Sequence, residues 1–336
     1  MNDIRRTILW VIFGFSMVLL WDKWQLHNGN KATFFPSPAA VGAAAPAAGA
    51  SAPLAGAASV PASTAPAVAS IGASAVPGTP APAAPAAREK IEVTTDVYRL
   101  TFDGEGGSLT HAELLKHADM TDKAKNFVLF DESTQRVYVA QTGLIGGSFP
   151  THKTVMTAVP GPRALKDGEN ELTIRFESPE QGGVKLVKTW TLKRGAYDIA
   201  VKHEVVNVGS TAVSPQLYLQ LVRDGNKPPG ESSFYSTFTG PAVYTDAKKY
   251  QKIEFKDIEN GKVDIPKESP NGYVAMVQHY FASAWLLADG VQRELFTRKV
   301  SDNLYSVGMI TPLGNIDPGT TKAVDARLYA GPQVET

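Results

Sequence analysis

Cysteine is absent from all 336 residues of the chain, and this absence limits the chemistry that the protein can perform. Without a thiol there is no disulfide, no thiolate metal site and no cysteine nucleophile, although the cellular compartment stays open. A net charge is missing too, because 33 basic residues balance 33 acidic ones. No basic stripe runs along the chain, so the sequence gives no reason to propose nucleic acid as a partner.

Recognised catalytic patterns are also missing. The sequence has six histidines: His27, His111, His117, His152, His203 and His279. No two of them have the i, i+4 spacing of a helical metal site, and no G-x-S-x-G elbow occurs. Gly104–Gly107 lacks the rest of a phosphate-binding pattern, which favours a β-turn. Tyr244, Tyr250 and Tyr305 are candidates for a sugar cleft, but such rings in a sandwich more often pack in the core or at its rim. We therefore predict no catalytic, cofactor-binding or metal-binding residue.

The longest apolar run lies near the N-terminus. Between Thr7 and Trp24 only Asp22 and Lys23 are charged. A helix over residues 7–24 would be about 27 Å long, close to a hydrocarbon core of about 30 Å. Three interpretations are open: an uncleaved signal anchor, a cleaved signal peptide and a buried core helix. We expect the anchor, because no small-residue cleavage site follows the run, with Arg5 and Arg6 favouring a cytoplasmic N-terminus.

A stretch without charge follows the apolar run. Residues 32–87 contain no Asp, Glu, Lys or Arg, and Ala, Pro, Ser and Gly fill most of it. Such a composition cannot bury enough apolar surface to offset the entropy lost on ordering. We therefore predict a cytoplasmic N-terminus over residues 1–6, a transmembrane anchor over 7–24, a disordered Ala/Pro-rich tether over 25–90 and one folded domain over 91–334.

The predicted domain alternates apolar and polar residues with a period of two, as half-buried strands do. Sets of alternate residues that would face the core occur in four segments. They are Tyr98, Leu100 and Phe102; Leu172, Ile174 and Phe176; Leu186, Trp190 and Leu192 around Lys188; and alternate residues from Tyr197 to Val205. Turn signals such as Gly104–Gly107 and Asn260–Gly261 separate the runs. The pattern predicts a mostly β, antiparallel sandwich, with His203 on an apolar strand face and a short helix over Leu114–Lys125.

Several stretches identify a family resemblance. Thr95–Leu109 reads TDVYRLTFDGEGGSL, and Lys188–Gly209 reads KTWTLKRGAYDIAVKHEVVNVG. Phe238–Phe255 reads FTGPAVYTDAKKYQKIEF, Gly272–Trp285 reads GYVAMVQHYFASAW, and Leu328–Gln333 carries L-Y-x-G-P. In this order they resemble the periplasmic segment of the bacterial YidC-type membrane protein insertases, and with the N-terminal run the resemblance covers all but the tether.

The resemblance implies a specific arrangement. The first helix would be an anchor in the bacterial inner membrane, followed by a periplasmic β-supersandwich similar to sugar-mutarotase folds. The implied partners are inserting membrane proteins, Sec translocon components and the lipid bilayer, and no cofactor is implied. In that family a groove formed by later transmembrane helices performs insertion, and this sequence stops at Thr336 before them. We expect a fragment or a truncated relative, so no groove residue can be assigned here.

Three functions are therefore open from the sequence. The first is the N-terminal part of an insertase and membrane-protein chaperone that acts alone or with the Sec translocon. The second is a carbohydrate-binding sandwich or carbohydrate-active enzyme. Such chemistry needs a histidine and a carboxylate in one cleft, and strand parity places His203 and Glu204 on opposite faces, which argues against that pair. The third is a periplasmic docking or scaffold module that recruits partners at its sheet edges. We expect the first, with the third describing what this portion contributes.

Overall fold

The computed structural model describes residues 88–228 and 237–333. The predicted anchor and nearly all of the predicted tether lie outside these residues. Within the described ranges, no helix is both long enough and apolar enough to span a bilayer.

The described chain is built almost entirely of strands. The first ten strands are β1 (Lys90–Thr94), β2 (Tyr98–Asp103), β3 (Ser108–Ala118), β4 (Asn126–Glu132), β5 (Val137–Ile145), β6 (Thr157–Ala158), β7 (Glu171–Glu177), β8 (Val184–Lys193), β9 (Asp198–Asn207) and β10 (Gln216–Asp224). The rest are β11 (Gly240–Thr245), β12 (Lys249–Lys252), β13 (Glu268–Ser269), β14 (Tyr273–Gln278), β15 (Phe281–Leu287), β16 (Arg293–Ser301), β17 (Leu304–Pro312) and β18 (Thr321–Pro332). One short helix, α1 (Phe255–Glu259), follows β12.

The strands form two nine-stranded sheets. The first sheet has the order β1-β2-β3-β4-β5-β10-β17-β16-β13, and the second has the order β12-β11-β14-β15-β18-β9-β8-β7-β6. Neighbouring strands run antiparallel in both sheets, as in the central pairs β10 with β17 and β18 with β9. The prediction of a mostly β, antiparallel sandwich is confirmed.

The core lies between the two sheets, where the predicted inward sets meet. Phe102 of the first sheet packs on Trp190 of the second, with ring centroids 5.1 Å apart, and Trp285 lies 6.1 Å from Trp190. Both tryptophans are at most 1% exposed. Burying large aromatic rings of this kind is a dominant source of core stability. Polar bridges also join the sheets, because Tyr138 Oη and Ser283 Oγ lie 2.6 Å apart.

The predicted helix over Leu114–Lys125 is wrong. Residues up to Ala118 belong to β3, where Leu114 is fully buried opposite Tyr98, and the rest form the turn to β4. Asp119 Oδ1 accepts the backbone N–H groups of Thr121 and Asp122 at 2.8 and 3.0 Å. Such local side-chain bonds satisfy the backbone in place of a helix.

Candidate functional site

The Gly104–Gly107 segment is the tight turn between β2 and β3 rather than a phosphate cradle. Gly106 and Gly107 have φ of 72° and 56°, and a Cβ on Gly106 would lie 2.4 Å from the carbonyl oxygen of His152. Only glycine tolerates both the conformation and the contact. The turn directs the Gly106 carbonyl to the interior, where it meets Lys188.

Lys188 lies at the centre of a buried polar cluster between the sheets. Its side chain is fully buried, and Nζ donates to the carbonyl oxygens of Gly106 and Thr142, both at 2.6 Å. Burial lowers the pKa of Lys188 to about 7, because the charged amine has lost its water. The cluster therefore ties the turn of the first sheet to β8 of the second through a single amine.

Two histidines flank this amine. His203, paired across from Lys188 on β9, is fully buried, and its Nε2 lies 2.9 Å from Thr142 Oγ1. Burial, and then the charge of Lys188, lower the pKa of His203 to about 3. His152 Nδ1 lies 2.6 Å from Tyr218 Oη, and burial followed by Lys188 lowers its pKa to about 4. Both imidazoles are therefore neutral at physiological pH.

His203 is a core histidine, as its position on an apolar face predicted. The neighbouring Glu204 points to the other face, where it pairs with Lys202 at 3.1 Å. Lys188 and His203 are both fully buried, so neither side chain reaches solvent. No group of three or more His, Asp or Glu side chains among residues 88–228 and 237–333 is arranged to hold a metal ion.

The other histidines are dispersed over the domain. His111 Nδ1 lies 3.5 Å from Asp131, His117 Nε2 lies 3.0 Å from Tyr197 Oη, and the ring of His279 lies 3.6 Å from that of Tyr280. His27 lies outside the described residues.

A large groove lies on the outer face of the second sheet, lined mainly by residues of β12, β14, β15 and β18. Alternation in β14 sends Val274 and Met276 into the core, so Tyr273, Ala275 and Val277 face outward. In β15 the outward residues are Ala282, Ala284 and Leu286. Small side chains at these positions leave the sheet surface hollow, and the resulting cavity measures about 1270 Å³.

Aromatic rings stand around this floor. We call the whole groove the aromatic groove. Its rim is formed by Phe238, Tyr250, Tyr273, Tyr280 and Tyr329. Tyr250 is 44% exposed and Tyr280 61% exposed. Partial burial raises the pKa of Tyr250, with a smaller contribution from Tyr273, so its phenol stays protonated. The groove therefore offers an apolar floor with hydroxyl groups along its walls, and its volume exceeds the roughly 300–1,000 Å³ of small-molecule sites.

The charged groups of the aromatic groove are already engaged. Arg327 Nη1 lies 3.2 Å from Asp198, and Lys252 Nζ lies 5.3 Å from the centroid of the Phe238 ring. No hydrogen bond links Asp198 to His279 among the described contacts of the groove. The arrangement suits binding of an apolar segment with hydrogen-bonding backbone.

The three tyrosines that were candidates for a sugar cleft lie in different environments. Tyr250 lines the groove, Tyr244 stacks on Tyr273 with centroids 5.4 Å apart, and Tyr305 is buried at 4% exposure beside Phe255. Reasoning from the sequence missed the groove floor. The sequence signal is alanine on the outward side of two consecutive strands, Ala275 in β14 and Ala282 with Ala284 in β15.

The turn between β14 and β15 closes one end of the groove. Tyr280 stands there with φ of 64°, a left-handed conformation that glycine or asparagine normally adopts. The Tyr280 carbonyl oxygen accepts the backbone N–H of Gln333 at 2.7 Å. The backbone of Tyr280 is thus tied to Gln333, the residue that follows β18.

Comparison with known proteins identifies relatives over nearly the whole chain. The model of the YidC periplasmic domain family matches residues 90–336. The membrane protein insertase YidC of Janthinobacterium sp. (strain Marseille) is 47% identical over 333 residues, and that of Cupriavidus necator is 49% identical over 333 residues. These alignments cover 98% and 99% of this chain but 58% of each relative. The chain thus spans somewhat more than half the length of the relatives it matches.

Solved structures give a looser likeness. A galactose mutarotase related enzyme from Lactobacillus acidophilus is 8% identical, with a TM-score of 0.45, covering 73% of this chain and all of that one. A galactose mutarotase-like protein from Clostridium acetobutylicum is 7% identical, also with a TM-score of 0.45, covering 72% of this chain and 95% of that one. Likeness at this level says nothing about activity.

Proposed function

This chain belongs to the family of YidC periplasmic domains, and from that premise we propose that it is the N-terminal part of a membrane protein insertase and membrane-protein chaperone. The longer protein would insert and help to fold integral membrane proteins of the bacterial inner membrane, alone or with the Sec translocon. The observation that carries the proposal is identity of 47–49% to insertases across nearly the entire chain.

The proposed topology assigns residues 1–6 to the cytoplasm, 7–24 to a membrane anchor, 25–90 to a tether and 91–334 to a periplasmic domain. The charge distribution around the apolar run supports this orientation. The partners are inserting membrane proteins, the bilayer and Sec components.

The size of the protein in native membranes tests this proposal. An antibody raised against the β domain is expected to detect a band of about 60 kDa, the mass that follows if this chain of 35.9 kDa is 58% of the whole. A band at the mass of the chain alone would remove the insertase assignment and leave a tethered periplasmic module.

We propose a docking role for the described domain itself, without enzymatic activity. The aromatic groove supports it, because an apolar floor with phenol groups along its walls suits an extended apolar segment of a client protein.

Site-specific photo-crosslinking tests the docking role. A photoreactive residue at Tyr250, which lines the groove, is expected to capture a membrane protein arrested during insertion. Val300 is a matched control, because it is 52% exposed on β16 of the other sheet. Equal capture at both positions, or saturable binding of a sugar that protects Tyr250, would contradict the proposal.

A further inference from the structure

Two Asn-Gly pairs in the described domain differ sharply in their surroundings. Asn260–Gly261 ends α1, where both residues are exposed to solvent, and Asn271–Gly272 precedes β14, where both are half-buried. A third pair, Asn28–Gly29, lies outside the described residues. Glycine after asparagine matters chemically, because it leaves the following backbone nitrogen unshielded by a side chain.

Asn260 has the freedom that a reaction at its side chain requires. None of the described hydrogen bonds involves its side-chain amide, and no atom lies within 4 Å of the position where a Cβ on Gly261 would stand. The Gly261 N–H donates to the carbonyl oxygen of Ile258 at 3.2 Å, the long end of the normal range. This bond belongs to the end of a five-residue helix, and the ends of such helices open readily.

Asn271 is held in place by contrast. Its Oδ1 accepts the backbone N–H of Asp246 at 3.0 Å and the hydroxyl of Ser269 at 3.2 Å, and its Nδ2 donates to Asp246 Oδ2 at 2.8 Å. Gly272 is enclosed as well, since a Cβ there would lie 1.9 Å from the carbonyl oxygen of Tyr244. Neither the side chain nor the backbone can rotate to bring the reacting atoms together.

We propose that Asn260 is a site of spontaneous deamidation and isoaspartate formation, and that Asn271 is protected by its contacts. The Gly261 nitrogen, after losing its proton to solvent base, bonds to Asn260 Cγ, and the Cγ–Nδ2 bond breaks with release of ammonia. Water then opens the cyclic imide at either carbonyl, giving aspartate or isoaspartate. Water is the only co-reactant, and no atom is oxidised or reduced.

The product changes the surface at the end of α1. A new carboxylate appears beside Glu259, which accepts from Tyr305 Oη at 2.8 Å and pairs with Lys299 at 3.2 Å. In the isoaspartyl form the main chain also gains a methylene group. The modified residue is a substrate of the class of methyltransferases that label isoaspartyl carboxylates, which provides a specific probe.

Ageing of the full chain in mild detergent at mildly alkaline pH tests the proposal. Trypsin separates the two pairs, because Lys256 and Lys262 flank Asn260 while Lys267 precedes Asn271. Mass spectrometry and isoaspartyl methylation are expected to show conversion at Asn260 at least about tenfold faster than at Asn271, a factor that corresponds to about 1.4 kcal/mol. Equal rates, or conversion at Asn271 alone, would overturn the proposal.

Two controls separate structure from sequence. In urea both pairs are expected to convert at similar rates, and a persisting difference would show that local sequence, not the fold, sets the rates. Asp246→Ala removes the acceptor of Asn271 Nδ2 and is expected to raise conversion at Asn271 while leaving Asn260 unchanged. An unchanged rate at Asn271 would refute the protective role of these contacts.

Discussion

Replacement of Lys188 by methionine should remove a specific pH dependence of stability. The buried amine has a folded-state pKa of about 7, whereas an unfolded lysine titrates near 10.4. Between these two values the unfolded chain holds a proton that the folded chain has released. Unfolding then takes up a proton, so the free energy of unfolding rises with pH.

The size of the effect follows from the two pKa values. Linkage gives a rise of about 2 kcal/mol in the free energy of unfolding between pH 7 and pH 9. His152 and His203 contribute little in this window, because their lowered pKa values place most of their effect below pH 6.5. The raised pKa values of buried tyrosines, such as Tyr138 at about 12, act at higher pH and with opposite sign.

Urea denaturation of the full chain, followed by circular dichroism at several pH values, measures this rise. In Lys188→Met the rise of the free energy of unfolding with pH is expected to vanish. Loss of the hydrogen bonds to Gly106 and Thr142 lowers that free energy by the same amount at every pH. Lys185→Met is the matched control, since Lys185 is exposed on the same strand, and it should keep the rise with pH. Parallel curves for the wild type and Lys188→Met would refute the argument that burial discharges this amine.

The remaining predictions concern packing, backbone strain and reach. Trp190→Ala should lower the free energy of unfolding by about 3–5 kcal/mol, because the ring is 1% exposed between the sheets; an unchanged denaturation midpoint would contradict this. Tyr280→Gly should stabilise the domain by about 1 kcal/mol over Tyr280→Ala, since glycine adopts φ of 64° without the strain that alanine carries there, and thermal denaturation compares the two. Halving the predicted tether should leave complementation of an insertase-depleted strain intact, because closure entropy changes slowly with loop length, and loss of growth would assign it a further role.

The alternation of residues predicted the strands and the inward position of His203, but not the polar cluster around Lys188. Parity alone placed His203 on an inward face. The partners of Lys188 and His203 could not be predicted, because Thr142 lies 46 residues from Lys188 along the chain and 61 from His203. Such contacts depend on which strands become neighbours, and a period of two carries no information about strand order.

The aromatic groove was not predicted, for a related reason. Its floor lies on neighbouring strands β14 and β15, but its wall needs β18 beside β15, with Tyr329 opposite Ala284, and these two residues are far apart in sequence. The helix α1 was missed because five residues are too few to show a helical period, whereas the wrong helix at Leu114–Lys125 came from a turn rich in local side-chain bonds.

The position of β18 sets the order in which the domain can be completed during synthesis. This strand is the last described one, yet it lies in the middle of the second sheet, between β15 and β9. Before Pro332 has left the ribosome, the sheet exists only as two unjoined halves with open edges. Strand pairings of such long sequence separation form slowly. The nascent domain therefore stays incompletely folded, with strand edges that chaperones can bind, until translation has passed its final strand.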